Sequence, residues 1–463
     1  MEHLERFIGR TKELKALESF HGRSKSSLLP IYGRRRVGKS EMILQFLKDK
    51  RGIYYLGKKA SPKLQIREFL KESASSLKLP LLEQQNAETW KEALQVVVNN
   101  AGSEKIVLAL DEFQWIAQEE PAILSYLQEL WDLDWSKNNK VTLILCGSYI
   151  GFMEREVLGR QSPLFGRRTG QMLMEPFHHV EAAKFHPQYG HQDHAKTYFI
   201  CGGIPLYLNL FDGNKSVEEN IKEQFLNEYA PLYAEPNYLL REELREVEKF
   251  ESILFCLAAK SSRRKEISEA TGIDTRALDY YLRSLQGLGY VERDTALSPL
   301  ASKTHPIYRL KDPLLKFWFR FVFPNESFLR QYGPNKTFEE RISPYLSTYF
   351  GLCFEKLCRE ALPFILQQEG HSVACELGSY WDKNIQLDIV ALRDDGVIEI
   401  GECKWRNDSP TAASIESSLL EKLIHYPNPN HQTLRLHYFA RSKVAVSVGN
   451  LKTHDLSDIY GNL

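Results

Sequence analysis

The chain has 463 residues, and its 60 lysines and arginines are balanced by 60 aspartates and glutamates. That balance excludes a global field that gathers nucleic acid, so any such binding must come from local patches. With 43% hydrophobic and 26% charged residues the sequence reads as a folded protein of about three domains, and its seven scattered cysteines form no Cys-x2-Cys pair, which excludes a zinc ribbon or disulfide framework.

The first residues, Met1 to Arg6, lack the apolar core of an export signal, and no apolar run of about eighteen residues occurs later. A cytoplasmic protein without a membrane partner is expected. Phe7 to Leu14 reads as a turn entering a helix, with Thr11 as N-cap. The apolar stretch Ser27 to Tyr32 reads as a short buried strand. It runs into Gly33-Arg34-Arg35-Arg36-Val37-Gly38-Lys39-Ser40, which fits Gly-x4-Gly-Lys-Ser, and a helical pattern begins at Glu41 with Met42, Ile43, Phe46 and Leu47 on one side. Strand, glycine loop and helix in that order form a phosphate cradle. The glycines let backbone N–H groups turn inward, and the helix N-terminus adds partial positive charge. Lys39 is placed to reach the outer phosphates of ATP, and the Ser40 hydroxyl to sit on Mg²⁺.

A second buried strand is expected from Gly52 to Gly57, then helices near Pro62–Leu77 and Ala87–Asn100. Lys105 to Glu112 is a strand ending in two carboxylates. A helix near Pro121–Leu133 leads to a further apolar strand, Val141 to Ser148. Apolar strands alternating with helices predict a parallel sheet covered on both faces, with ligands beyond the strand C-termini. There Asp111 is placed to hold Mg²⁺ and Glu112 to orient or deprotonate a water. Ser148 is either a contact for the γ-phosphate or the water, or a small polar turn residue.

These segments resemble the archaeal-type ATPases of the AAA+/STAND group of P-loop NTPases. The resemblance rests on Phe-x-Gly-Arg near the start, the glycine loop, Leu-Asp-Glu-Phe-Gln, Leu-x-Cys-Gly-Ser, Gly166-Arg-Arg-Thr-Gly170 with Pro176-Phe177, and Gly202-Gly-Ile-Pro-Leu-Tyr207. It implies that Ile8, Gly9 and Arg10 lie near the adenine. It also implies that Arg167 or Arg168 senses the γ-phosphate, within the subunit or across the interface of a homo-oligomer.

Ser216 to Phe250 has a helical pattern with breaks at Tyr229–Asn237, as suits a helical lid. A helix from Ser252, a short helix from Arg263 to Gly272, and a helix capped by Asp274 with Leu278, Leu282 and Leu285 inward follow. Two short strands, Gly289–Arg293 and Ile307–Leu310, complete a winged helix-turn-helix. Its Arg263, Arg264, Arg276 and Arg283 are candidates for DNA contact, although such modules also serve to bind protein. The aromatic helix Asp312–Phe323 is expected to be interdomain core.

At the C-terminus, strands Ile385–Leu392 and Val397–Trp405 flank a turn at Asp394-Asp-Gly396. Asp388, Glu402 and Lys404 can face one space, with Glu355 from a preceding helix as a third acid. Two acids and a lysine suit one divalent metal, held by Asp388 and Glu402, and the activation of water. The set resembles the PD-(D/E)XK nuclease superfamily, with Leu387 in place of the usual proline.

The expected architecture is α/β. Residues 1–210 form a P-loop AAA+ ATPase domain with a parallel sheet, 211–250 a helical lid, 251–311 a winged helix-turn-helix, and 312–342 linker helices. Residues 343–463 form an α/β restriction-endonuclease-like domain. The expected function is Mg²⁺-dependent ATP hydrolysis coupled to a nuclease-like domain acting on DNA. The alternative is an ATP-dependent signalling switch or DNA-binding regulator whose C-terminal domain binds without cutting.

Overall fold

A computed structural model describes residues 7–260, 262–300, 305–371, 373–406, 412–442 and 450–461. The chain divides into two compact units, one through Pro176 and the other from Phe177 onward.

The first unit is built on a five-stranded sheet of β1 (Ser27–Tyr32), β2 (Gly52–Leu56), β3 (Ile106–Asp111), β4 (Val141–Gly147) and β5 (Met172–Leu173), in the order β2-β3-β4-β1-β5. Every pairing is parallel. β1, β3 and β4 are buried along their whole length, which is why they read as unbroken apolar runs rather than alternating ones. Tyr55 meets Phe69 and Trp90 edge to face, Phe69 and Trp90 meet at a tilt, and the three anchor the helices Pro62–Leu77 and Trp90–Asn100 on the sheet. The second helix starts at Trp90, later than its periodicity suggests, because Thr89 and Glu92 form a capping box there. β4 lies between the strand that feeds the glycine loop and the strand that ends in the acids. The tips of all three therefore adjoin.

One expectation is corrected at the start of the chain. Thr11 is the first residue of the helix Thr11–His21, and the cap position belongs to Arg10, in a left-handed conformation with φ 55°. The arginine side chain is engaged elsewhere, as described below, and this fixes the entry of the chain into the helix.

In the second unit, helices Val217–Phe225 and Pro231–Glu243 occupy the segment read as a lid. The break expected over Tyr229–Asn237 is confined to its beginning, because Pro236 lies inside a continuous helix. Helices Val247–Ala259, Arg264–Thr271 and Thr275–Gly287 precede an antiparallel ribbon of β6 (Val291–Asp294) and β7 (Ile307–Leu310). Asp274 caps the third helix by accepting from the Arg276 amide, and Leu278, Leu282 and Leu285 are buried. The helix Pro313–Phe321 buries Phe317, Trp318, Phe319 and Phe321, and the Trp318 indole donates to the Tyr233 carbonyl at 2.8 Å.

A 26-residue helix, Ser343–Gln368, precedes a second five-stranded sheet in the order β12-β11-β10-β9-β8. Its strands are β8 (Cys375–Trp381), β9 (Gln386–Arg393), β10 (Ile398–Lys404), β11 (Leu434–Ala440) and β12 (Leu451–His454). β8 to β10 run antiparallel and β10 to β12 parallel. The β9–β10 turn uses Gly396 at φ 82°. Among the described residues, no helix is long and apolar enough to cross a membrane.

Candidate nucleotide site and carboxylate cluster

The glycine loop leaves β1 at Gly33 and enters the helix Lys39–Leu47. Arg36 and Gly38 take positive φ, 69° and 85°, which curls the backbone. At Gly33 a Cβ would lie 2.3 Å from the Met174 carbonyl oxygen, so only glycine lets the loop pass there. Arg10 is buried, and its guanidinium donates to the carbonyls of Val37 and Glu175, both at 2.8 Å, while pairing with Glu13 at 3.0 Å. Arg10 thus braces the loop from behind, with Ile8 and Gly9 leading up to it.

Lys39 is almost fully buried, and its Nζ donates to the carbonyls of Gly33 and Arg34, each at 2.8 Å, spanning the loop from inside. Burial lowers its pKa, against the opposing pull of Cys146, Glu112 and Asp111. The Ser40 hydroxyl donates to Asp111 Oδ2 at 2.5 Å. Asp111 is wholly buried, and its Oδ1 accepts from the Glu112 amide at 2.8 Å. The sequence thus brings Lys39, Ser40, Asp111, Glu112 and Ser148 to one end of the sheet. Glu41 is the exposed third residue of the loop helix.

Two further residues belong to this constellation that the sequence reading passed over. Tyr54, on β2, donates its hydroxyl to Asp111 Oδ2 at 2.6 Å, and burial together with the Asp111 charge raises its pKa, so it stays a neutral phenol. Gln114 is fully buried, and its amide donates to Glu112 Oε2 and to Ser148 Oγ, the latter at 3.1 Å. Ser148 in turn donates to Glu112 Oε2 at 2.8 Å. Gln114 Oε1 is buried without a hydrogen-bond partner among the described residues. In the sequence Gln114 stands only as the last residue of Leu-Asp-Glu-Phe-Gln, a segment that assigns it no partner.

The two arginines read as γ-phosphate sensors differ in their engagements. Arg167 makes a two-bond pair with Asp132, at 2.8 and 2.7 Å, and also donates to the Pro163 and Phe165 carbonyls. Arg168 donates to the Leu158 carbonyl at 3.3 Å.

In the second unit the β9–β10 ladder pairs Ile389 with Gly401, which makes Asp388 and Glu402 the next residues along. Asp388 Oδ2 accepts from the Cys403 amide at 3.0 Å. Burial and the Glu402 charge push its pKa up. Glu355, from the long helix, is pushed up to about 7 by burial and by Asp388, against the charges of Arg359, Arg309 and Lys316. Glu402 is bridged by Lys404 at 2.5 Å and Lys422 at 2.6 Å, one on each oxygen. Burial opposes the charge on Lys404, but its bond to Glu402 and the charges of Glu402 and Asp388 raise its pKa overall. The four residues singled out from the sequence are therefore neighbours, with Lys422 added to them. Among the described residues no group of three or more His, Cys, Asp or Glu side chains is arranged to hold a metal ion.

Arg263, Arg264, Arg276 and Arg283 are all exposed. Arg264 is paired with Asp279 at 2.7 Å, and Arg283 donates to the Asp279 carbonyl at 3.1 Å, so this acid offsets part of the basic surface.

Comparison with known proteins agrees with the first unit. Residues 7–211 match a family described as an ATPase domain predominantly from Archaea, and residues 318–415 match one described as archaeal and bacterial proteins of unknown function. An uncharacterised protein of Methanocaldococcus jannaschii is 28% identical over 404 residues, covering 87% of this chain and 88% of its own length. A Walker-type ATPase of Pyrococcus abyssi superposes with a TM-score of 0.51 at 19% identity, over 68% of this chain and 96% of the other. The ORC2 protein of Aeropyrum pernix, solved in ADPNP and ADP complexes, gives a TM-score of 0.44 at 14% identity, over 71% and 97% of the two chains. The shared feature is the α/β fold with a parallel sheet, as in P-loop ATPases.

Proposed function

We propose that the chain binds ATP with Mg²⁺ at the glycine loop, hydrolyses it, and uses that cycle to govern the second unit's action on DNA. The observation that carries the reading is the contact between Ser40 Oγ and Asp111 Oδ2 at 2.5 Å, beside the buried Lys39. These residues fit the group: a hydroxyl that can ligate a cation lies against a buried carboxylate, at the mouth of a loop that positive φ at Arg36 and Gly38 curls over the Lys39 ammonium. Ser40 and Asp111 would hold the Mg²⁺, which would supply positive charge against the outer phosphates. Lys39 exchanges its carbonyl partners for phosphate oxygens. Glu112 accepts the proton of the attacking water, with Ser148 and Gln114 fixing the carboxylate. Arg168 serves as the γ-phosphate sensor, since Arg167 is committed to Asp132.

In the second unit the three helices and ribbon act as a winged helix with Arg263, Arg264, Arg276 and Arg283 on phosphates. Glu355, Asp388, Glu402 and Lys404 form a nuclease-like site. A second reading, in which this site binds without cutting, is favoured by the two lysines that already neutralise Glu402. ATPase and nuclease assays on supercoiled, linear and single-stranded DNA test the scheme. Lys39→Ala should abolish ATP turnover and weaken nucleotide binding, and unchanged turnover would refute the site. Metal-dependent cleavage lost in Glu402→Ala supports cutting. DNA binding without cleavage in any metal supports the second reading.

A further inference from the structure

Tyr54 makes a contact that neither the loop motif nor the acid pair accounts for. On β2 it is paired in register with Ala109 of β3. Partners in a parallel ladder point to the same face, so Tyr54 and Asp111 share a face one pleat apart, a gap that a phenol spans. Its neighbour Tyr55 turns to the opposite face and packs with Phe69 and Trp90. Tyr54 instead directs its hydroxyl at Asp111 Oδ2, 2.6 Å away, the same oxygen that accepts from Ser40 at 2.5 Å. The other oxygen is taken by the Glu112 amide at 2.8 Å. A carboxylate buried away from water needs such donors, and these come from β2, the loop helix and the end of β3. Together they fix its rotation about the Cβ–Cγ bond. A lysine at position 54 would repel a cation, and a phenylalanine would take from Oδ2 the donor that does not itself ligate the cation, leaving the Ser40 hydroxyl on it. A neutral phenol orients the carboxylate without competing for the metal.

We propose that Tyr54 is a positioning residue that holds Asp111 toward the cation, so that the site selects Mg²⁺-ATP over ATP alone. The inference rests on the nucleotide reading above. The test is titration of the full chain with a fluorescent ATP analogue, in EDTA and in Mg²⁺, for wild type and Tyr54→Phe. Affinity in EDTA should agree within about twofold, whereas affinity in Mg²⁺ should weaken about tenfold, the scale of one hydrogen bond to a charged group. In an Asp111→Asn background, Tyr54→Phe should add nothing further. Equal weakening in EDTA and Mg²⁺ would reveal a packing role and overturn the inference, as would no change in either. Wild type that binds no nucleotide in either condition brings down the nucleotide reading and this inference with it. Normal wild-type binding with an indifferent variant brings down the role of Tyr54 alone.

Discussion

Ser148 and Glu112 share a hydrogen bond of 2.8 Å between the tips of two strands, and Gln114 donates to both. The carboxylate assigned to the attacking water is therefore held by two neutral donors rather than by a cation. Ser148→Ala removes one of them. We expect hydrolysis to fall about tenfold at saturating ATP with nucleotide affinity nearly unchanged, because the lost bond orients a base and touches no phosphate in this arrangement. Steady-state kinetics beside equilibrium binding decides the matter. Equal losses in both would place Ser148 on the nucleotide instead. Glu112→Gln should be more severe, on the order of 100-fold or more in turnover, again with binding retained.

Arg167 and Arg168 should separate cleanly. The Arg167–Asp132 pair is partly exposed, with side chains 27% and 43% accessible, so its loss should cost at most about 1 kcal/mol and leave hydrolysis intact. Arg168→Ala should leave thermal stability unchanged and depress turnover. The reverse pattern would reassign the sensor.

Acid should destabilise the second unit before any carboxylate of ordinary pKa titrates. Burial holds His179 and His454 at about 4, with His178 adding to the effect at the first and His437 and Lys452 at the second, and Glu369 and Asp455 opposing it at His454. The unfolded imidazoles bind protons near their ordinary 6.5, so stability is full above that pH and is lost as pH falls from 6.5 through 4. The loss should be on the order of 2 kcal/mol per histidine. Urea midpoints at pH 7.5, 6 and 5 measure it, and a flat profile would contradict the burial.

Glu355 runs the other way. With a folded pKa of about 7 against an ordinary 4.5, its contribution to stability is full below 4.5 and is lost as pH rises through 7, so Glu355→Gln should raise the urea midpoint at pH 8 in metal-free buffer. An unchanged midpoint at pH 8 would contradict the burial.

DNA binding by Arg276 and Arg283 should be salt-dependent. Arg276→Ala with Arg283→Ala should weaken affinity across all sequences and reduce the salt slope by about two phosphate contacts. Fluorescence anisotropy at several salt concentrations reads this directly, and an unchanged slope would leave the helix Thr275–Gly287 as a protein contact.

The glycine loop, the acid-tipped strand and the parallel sheet were legible because each is a local pattern: a fixed spacing, an unbroken apolar run, a strand ending in charge. Tyr54 and Gln114 were not, since their partners are set by strand register and by the turn into the helix Phe113–Glu119, which no spacing encodes. The same holds for Lys422, which reaches Glu402 from a helix beyond the strands, and for the buried set Arg393, Glu399, His437 and His454, where four residues from four strands hydrogen-bond in a row. Local pattern also misled where a proline looked like a stop: Pro236 stays within its helix, and Thr11 yields the cap position to Arg10.

The carbonyl of Met174 faces Gly33 so closely that the smallest side chain is refused. A saturation library at position 33, sorted only for well-folded protein and never exposed to ATP, should return glycine almost alone. Steric exclusion by the residue that follows an edge strand would then preserve the first residue of the loop even in a lineage that had stopped using nucleotide.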